Sequence, residues 1–222
     1  MRVYSVKETY LTVQGEGAQT GRPAVFLRFA GCNLWTGREQ DRASAVCTFC
    51  DTQFVGTDGE GGGKFNSPKS LAGHVKSFWP KEGGGQPWVV CTGGEPLLQL
   101  DVNLIAALHE AGFKIAVETN GTLLAPDGID WVTVSPKASA KLVQLSGDEL
   151  KLVYPQDENQ PADFEHLDFD NFYLQPRDDS YLGEKKDAAH APKKHELAAF
   201  RYCLAHPKWN LSIQTHKFIG VP

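Results

Sequence analysis

Three cysteines are the residues best suited to chemistry, because Cys32, Cys47 and Cys50 form the pattern C-x14-C-x2-C. Three thiolates can hold three irons of a cubane cluster and leave the fourth iron without a protein ligand. A structural zinc site is an equal alternative, with His74 or another histidine as the fourth ligand. The cysteine spacing therefore predicts a metal centre and leaves its type open.

The two remaining cysteines fit a different role. Cys91 ends an apolar, strand-like run, and Cys203 lies within a helical pattern. Free cysteine is commonly buried, so both are expected in the core. An odd total of five, with three close together, favours a metal site over a disulfide framework.

A glycine pair at a strand end is the second chemical signal. The segment Thr92–Pro96 reads TGGEP and directly follows the apolar run Trp88–Cys91. The glycines let the backbone approach a ligand closely and expose peptide N–H and C=O groups. Such groups can bind a free amino acid, which has both a donor and an acceptor end.

The elements that must position these residues alternate in type. The strand-like runs are Ala24–Phe29, Trp88–Thr92, Lys114–Glu118, Trp131–Ser135, Leu150–Tyr154, Phe172–Gln175 and Leu211–Gln214. Helical patterns lie at Leu71–Phe78 behind Ser67-Pro68, at Leu104–Glu110 behind Asp101, and at Glu196–Ala205. The alternation predicts an α/β fold with a parallel sheet and a ligand site at the carboxyl ends of its strands.

Polar segments follow most of these strands and can converge on one mouth. They are Thr92–Glu95, Glu118–Gly121, Ser135–Lys137, Gln175–Asp178 and Gln214–Lys217. Three other stretches are expected to be irregular or solvated: Asn33–Val46, the glycine-rich Thr57–Gly63, and the charged Ser180–Lys194.

Composition sets outer limits on function. The chain has 222 residues, 41% of them hydrophobic, which suits a single domain over residues 1–222. Its net charge of -5 and lack of a Lys/Arg run argue against nucleic-acid binding. No apolar stretch approaches the roughly 20 residues of a membrane span, and Met1–Tyr4 starts no secretory signal. We therefore expect a cytoplasmic protein.

Taken together, the motifs resemble the 7-carboxy-7-deazaguanine synthase family of the radical S-adenosylmethionine (SAM) enzymes. The resemblance is carried by the cysteine triplet and TGGEP, with Thr12–Gly17, Phe29–Trp35, Phe49–Thr52, Glu118–Gly121 and Ser135–Lys137. It runs from about Glu8 to Pro222. The chain departs from the common superfamily spacing C-x3-C-x2-C by its fourteen-residue first gap, an insertion found in one branch of this family.

This resemblance implies an activity and its cofactors. Family members convert 6-carboxy-5,6,7,8-tetrahydropterin to 7-carboxy-7-deazaguanine with loss of ammonia, in queuosine and related deazapurine biosynthesis. They use a [4Fe-4S] cluster, SAM and Mg²⁺, take electrons from a reductant such as flavodoxin or ferredoxin, and form homodimers. The implied fold is an incomplete parallel (β/α)6-type radical SAM barrel with the cluster at the C-terminal mouth.

The resemblance also implies site residues. The cluster ligands are Cys32, Cys47 and Cys50, and the Mg²⁺ ligand is Thr52. The SAM set is Gly94, Glu118, Ser135, Pro136, Lys137, Gln175, Pro176, Arg177 and Asp178, with no role for the Arg177 side chain. The substrate set is Val13, Gln14, Gly15, Glu16, Arg28, Thr92 and Pro222. His216 is a further residue expected near the site.

Structural alternatives exist for these assignments. Each polar strand end can instead be a helix cap or a solvated loop, and Arg28 can be an edge-strand arginine that faces solvent. At the level of function, the alternatives are another radical SAM enzyme, such as a glycyl-radical activating enzyme, and a zinc-binding module without catalysis.

Overall fold

A nine-stranded sheet organises the computed structural model, which describes residues 2–82, 84–178 and 194–221. The strands are β1 (Tyr4–Val13), β2 (Pro23–Phe29), β3 (Gly63–Phe65), β4 (Trp88–Gly93), β5 (Lys114–Thr119), β6 (Trp131–Val134), β7 (Ser146–Tyr154), β8 (Asp168–Pro176) and β9 (Asn210–Leu211). Their order across the sheet is β3-β1-β2-β4-β5-β6-β7-β8-β9. All neighbours from β2 to β9 pair in parallel, and β1 is antiparallel to β2 and β3. The predicted α/β class with a parallel sheet is confirmed.

Four helices accompany the sheet in the described residues: α1 (Pro68–Phe78), α2 (Val102–Glu110), α3 (Lys194–Ala205) and α4 (Thr215–Ile219). The first two begin at the predicted caps. The Ser67 hydroxyl accepts a hydrogen bond from the Ser70 amide at 3.1 Å, and the Asp101 carboxylate accepts one from the Leu104 amide at 2.9 Å. These bonds satisfy N–H groups that have no partner inside the helix.

The two faces of the sheet have different partners because side chains alternate along each strand. Val89 and Cys91 of β4 point toward α1 and α2, in a core of fully buried residues. Trp88 and Val90 point to the opposite face, where they pack against small residues such as Ala116. A further core joins α3 to β7 and β8.

Of the two cysteine predictions outside the triplet, that for Cys91 is confirmed, whereas Cys203 is only partly buried. Cys91 is fully buried in the first core, and Cys203 on α3 packs against the further core. All five cysteines are free thiols, so no disulfide framework is present in the chain.

The segment after β1 crosses the open face of the sheet. The Ala18 amide donates to the Glu149 carboxylate on β7 at 2.8 Å, and the Gly17 amide donates to the Ser212 hydroxyl beyond β9 at 2.9 Å. Gly17 has φ +63°, and a Cβ there would lie 2.0 Å from the Glu149 carboxylate. Glycine is therefore required where this segment meets β7, and strands at opposite ends of the sheet are joined through it.

Several element boundaries differ from the predictions. β1, the longest strand, was not predicted. The strand predicted at Leu211–Gln214 is wrong at its far end, because β9 ends at Leu211 and Gln214 precedes α4. The glycine-rich loop at 57–63 is fixed against β1 by backbone hydrogen bonds, and Gly63 begins β3.

Two regions bear on other predictions. The stretch 180–194 lies outside the described residues except for Lys194, which begins α3. Across residues 2–82, 84–178 and 194–221, no helix has both the length and the apolar character that crossing a bilayer requires.

Candidate active site

A cavity of about 780 Å³ is lined by residues of β1, β2, β4, β5, β7 and β8 and of the loops that follow them. Seventeen of the residues predicted for the site line it: Val13, Gln14, Gly15, Glu16, Arg28, Cys47, Cys50, Thr52, Thr92, Gly94, Glu118, Ser135, Lys137, Gln175, Pro176, Arg177 and Asp178. Most of them follow the carboxyl ends of parallel strands, which meet at one edge of a sheet. Val13, Gln14, Gly15 and Glu16 instead lie at or beyond the end of β1, which is antiparallel to β2.

Two predicted residues, Pro136 and Cys32, do not line this cavity. Pro136 is buried, and its carbonyl accepts a hydrogen bond from Gln156 at 3.2 Å. Cys32 lies behind the wall, packed with the other two cysteines. Pro222 lies outside the described residues.

The predicted ligand cysteines occupy one partly apolar nest. Cys47 is buried against Leu34, Phe49 and Ala138, and both Cys32 and Cys50 pack on this group. Burial raises the pKa of all three thiols, that of Cys50 to about 11. Three neighbouring thiols fit a cubane cluster, whose irons would hold them as thiolates, and the Leu34 amide already donates to the Cys32 sulfur at 3.4 Å.

A single metal ion fits this nest less well. In the described part of the chain, no group of three or more His, Cys, Asp or Glu side chains is arranged to hold one ion. Tetrahedral zinc with Zn–S bonds of 2.3 Å needs sulfurs about 3.8 Å apart, closer than the corners of a cluster. His74, one of the histidines considered as a fourth zinc ligand, is engaged elsewhere: its Nε2 bonds to the Gly61 carbonyl at 2.7 Å and its ring packs against Phe65 and Phe78.

The long insertion between the first two cysteines folds back onto the cysteine loop. It is irregular, as expected, apart from one 3-10 turn at Glu39–Ser44. Arg42 in this turn donates to the carbonyls of Thr48 and Cys50, at 3.0 and 2.9 Å, and stacks on Trp35. The insertion therefore orders the backbone that presents Cys47 and Cys50.

The glycine turn after β4 is held close to the cysteine segment. A Cβ on Gly94 would lie 2.1 Å from the Gly31 carbonyl oxygen, so only glycine fits. The amides of Gly94 and Glu95 donate to the carbonyls of Phe29 and Gly31. These two N–H groups are therefore used inside the protein, and a ligand amine would bind this turn through carbonyl oxygens.

Glu95 in the same turn is a structural residue. Its buried carboxylate accepts hydrogen bonds from the amides of Leu97 and Asn120, at 2.9 and 2.8 Å, and from the Thr119 hydroxyl at 2.8 Å. Burial nevertheless raises its pKa. Glu95 thus fixes the end of β4 to the end of β5, where two predicted binding motifs meet.

A buried lysine forms the floor of the cavity. Lys151 Nζ lies 2.7 Å from a Glu16 oxygen and 2.8 Å from a Glu118 oxygen. Burial favours the neutral forms, but the Lys151 charge lowers the pKa of Glu16 to about 2, and the carboxylates raise the pKa of Lys151. Burial dominates at Glu118 and raises its pKa.

Amide side chains connect this floor to the rest of the site. Gln175 and Gln214 both donate to Glu16 Oε1 at 2.9 Å, and Gln14 donates to Glu118 at 3.1 Å. Members of the predicted substrate and SAM sets are therefore joined in one hydrogen-bonded network.

Sequence reasoning missed Lys151 and Glu149. The strand was expected to start at Leu150, but β7 starts four residues earlier and continues through both residues. The alternation Glu149-Leu150-Lys151-Leu152 was the available signal, since it places two charged side chains on one face of a strand.

Glu149→Gln is expected to reduce the dependence of stability on pH. Burial raises the pKa of Glu149 from 4.5 to about 7. An acid whose pKa is higher in the folded state makes stability fall as pH rises between these two values, here by up to about 3 kcal/mol. Urea unfolding at about pH 5 and at about pH 8 measures this effect. The unfolding free energy should fall less between these two pH values in the variant than in the wild type.

The matched control is Asp170→Asn, which alters an exposed carboxylate in β8. It should leave the pH dependence of unfolding unchanged. If the unfolding free energy of Glu149→Gln changed with pH as much as that of the wild type, the assignment of Glu149 as a buried, proton-binding group would be wrong.

Arg28 is paired inside the protein. Its Nε donates to Glu8 at 2.7 Å, and an Nη2 proton is donated to the Tyr10 hydroxyl at 2.9 Å. β2 lies between β1 and β4, so the edge-strand alternative is wrong. Beside the guanidinium, Tyr10 stacks on Phe26 with ring centroids 5.7 Å apart, which gives the cavity an aromatic wall.

The segment around α4 closes the other side. Lys217 bonds to Asp51 at 3.1 Å and also to Asp178, and so joins the cysteine loop to the end of β8. His216 packs against Gly15, where a Cβ would collide with its ring, and burial lowers the pKa of this histidine. His216 lies in the cavity wall, as expected from sequence.

Thr52 lies on the rim, between the main cavity and a smaller one of about 450 Å³. Its hydroxyl is 3.5 Å from an Asp51 carboxylate oxygen. Oxygen donors of this kind suit Mg²⁺, which usually keeps several waters and few protein ligands. The donor set therefore fits the predicted magnesium site.

Comparison with known proteins gives consistent matches over the whole chain. The chain is 60% identical to the 7-carboxy-7-deazaguanine synthase of Caulobacter vibrioides, 57% to that of Bordetella pertussis and 55% to that of Burkholderia multivorans, each over 99% of both sequences. The crystal structure of QueE from Escherichia coli matches with a TM-score of 0.66 at 23% identity, covering 96% of this chain and 95% of that chain, which indicates a shared fold. No protein-family model matches.

Proposed function

The chain belongs to the 7-carboxy-7-deazaguanine synthase family, and from that premise we propose that the 780 Å³ cavity is its active site. The protein is a radical SAM lyase that converts 6-carboxy-5,6,7,8-tetrahydropterin to 7-carboxy-7-deazaguanine with loss of ammonia, in queuosine biosynthesis. The observation that carries the proposal is that two ligand cysteines, the glycine turn and Arg28 all line one cavity.

We assign the cluster to Cys32, Cys47 and Cys50, and the SAM site to the adjoining strand ends. Bound cluster and SAM supply a 5′-deoxyadenosyl radical, and the protein provides binding, orientation and exclusion of water. The carbonyl side of the Gly94 turn suits the methionyl amine. Lys137, which donates to the Ser135 hydroxyl, provides a cation for a carboxylate.

The substrate side is assigned to the wall formed by Arg28, Gln14 and Glu16. A guanidinium has five N–H donors, so Arg28 can bind the substrate carboxylate while keeping its bonds to Glu8 and Tyr10. Glu16, kept ionised by Lys151, can accept N–H groups from the amino edge of a pterin. The aromatic pair of Tyr10 and Phe26 suits a flat ring.

Finer features belong to the same proposal. We propose Mg²⁺ at Thr52, an incomplete barrel with the cluster at its mouth, and one radical SAM domain over residues 1–222. An external reductant such as flavodoxin or ferredoxin, and a homodimer, follow from the family resemblance. A cytoplasmic location is supported by the five free thiols, since disulfides are rare in reducing compartments.

Anaerobic reconstitution followed by incubation with SAM, Mg²⁺, reductant and the carboxytetrahydropterin tests the function. We expect 7-carboxy-7-deazaguanine and ammonia in equal amounts. Formation of 5′-deoxyadenosine without the deazaguanine would instead favour another radical SAM activity. A colourless protein that binds zinc and no iron would contradict both.

A further inference from the structure

Gln156 is a buried polar residue just outside the cavity wall, only 3% exposed. It lies in the loop after β7, and its side-chain amide makes four hydrogen bonds. The amide oxygen accepts from the Ala138 amide at 2.8 Å and from Asn159 at 3.1 Å. The amide nitrogen donates to the carbonyls of Pro136 and Val153, at 3.2 and 2.9 Å. Every donor and acceptor position of this side chain is therefore used.

The hydrogen bonds that Gln156 forms with Pro136 and Ala138 lie on either side of Lys137. Backbone hydrogen bonds from a neighbouring β-strand would have the same arrangement. Backbone pairing between β6 and β7 covers only Thr133 and Val134 of β6. Gln156 therefore continues the attachment of this chain segment to β7 beyond the point where the strands separate. Between its two anchors, Lys137 extends into the cavity wall.

Ala138 has an unfavourable backbone conformation. Its φ of +43° is the only positive value for a non-glycine residue in the described part of the chain. Such a residue persists only where its surroundings determine the conformation strongly. Ala138 is buried against Cys47 and Phe49, so its conformation also shapes the packing behind the cysteine loop.

We propose that Gln156 is a positioning residue for the SAM side of the active site. It holds Ser135–Ala138 in the conformation that presents Ser135 and Lys137 to the cavity, and it does so without contacting the cavity itself. The inference rests on the proposed assignment of Ser135 and Lys137 to SAM, and it adds a residue that no motif identified.

Gln156→Met tests this, because methionine keeps the volume and removes all four hydrogen bonds. In reconstituted enzyme, the dissociation constant and KM for SAM should rise about tenfold or more, the effect of leaving buried backbone groups unpaired. The KM for the pterin should change less than about twofold. Hydrogen exchange of a peptide covering Ser135–Ala138 should accelerate by a similar factor.

Gln156→Glu provides a second variant, because its carboxylate can accept from Ala138 but cannot donate to Pro136 or Val153. It should show the same selective loss of SAM affinity. The control is Gln160→Leu, an exposed residue of the same loop whose side chain donates to the Gln156 carbonyl. It should leave SAM affinity and exchange at Ser135–Ala138 unchanged.

Equal changes in SAM and pterin KM, or no change in exchange at Ser135–Ala138, would overturn the proposal. These readouts are separate from the function itself. Wild-type enzyme that makes no 7-carboxy-7-deazaguanine would refute the proposed reaction, whereas SAM affinity and exchange still decide the role of Gln156.

Discussion

Cys47→Ala is expected to lower the iron bound after anaerobic reconstitution by at least about tenfold, because two thiolates cannot retain a cubane cluster that needs three. Cys47 lies at the centre of the nest, buried and in contact with Phe49 and Ala138. Loss of this sulfur leaves a second iron without a protein ligand. Iron analysis, the visible absorbance of the cluster and the yield of 5′-deoxyadenosine should all decrease together.

Cys203→Ala is the matched control. This cysteine lies on α3, half-buried against a different core, and belongs to no ligand set. The variant should bind as much iron as the wild type. If it loses iron, or if Cys47→Ala keeps it, the ligand assignment is wrong.

Lys151→Met is expected to lower the free energy of unfolding by about 3–5 kcal/mol, because it leaves the buried carboxylates of Glu16 and Glu118 without a cation. The Lys151 side chain is only 5% exposed, so water cannot replace the lost charge. Urea unfolding at neutral pH measures this loss.

Lys7→Met is the control for an ion pair whose carboxylate is exposed to solvent. Lys7 bonds to Asp58 at 2.6 Å, as short as the Lys151 bonds, but Asp58 is 82% exposed. Its loss should lower the free energy of unfolding far less than Lys151→Met does, because water can solvate the exposed Asp58 carboxylate. If both variants lost the same unfolding free energy, burial of the ion pair would not determine how much stability it contributes.

Lowering the pH should reduce the difference in unfolding free energy between Lys151→Met and the wild type. The folded-state pKa of Glu16 is lowered to about 2 by Lys151, so its ionisation stabilises the wild type above the ordinary value of 4.5. That stabilisation is lost as pH falls from about 4.5 toward about 2. The variant lacks this stabilisation. A difference in unfolding free energy between the two proteins that stayed constant over this pH range would contradict the charge network.

The sequence predicted the strand ends well because their motifs combine an apolar run with a polar tail, and parallel pairing brings such tails together. It did not predict β1, whose Tyr4–Val13 mixes polar and apolar residues and is ordered by pairing with β2 and β3. The strand conformation of β1 depends on these tertiary contacts, which cannot be read from the local sequence pattern.

The site residues that the sequence did not predict also depend on tertiary contacts. Lys151 and Glu149 occur in no motif, and charged residues within a strand usually indicate a solvated face. Their burial follows from the segment after β1, which crosses to β7 and covers them. Gln156 is similar, since its partners Pro136 and Ala138 are far from it in sequence.

The segment after β1 is held by residues about 200 positions away, as in the bond from the Thr215 amide to the Gly15 carbonyl. Contacts so distant in sequence need the chain between them to be ordered, so we expect them to form after the sheet. We therefore expect a newly made chain to fold with its mouth still open while Cys32, Cys47 and Cys50 are already near one another. This order leaves an interval in which an iron donor can reach the thiols before the entrance narrows, and a pulse of thiol alkylation during refolding would record its length.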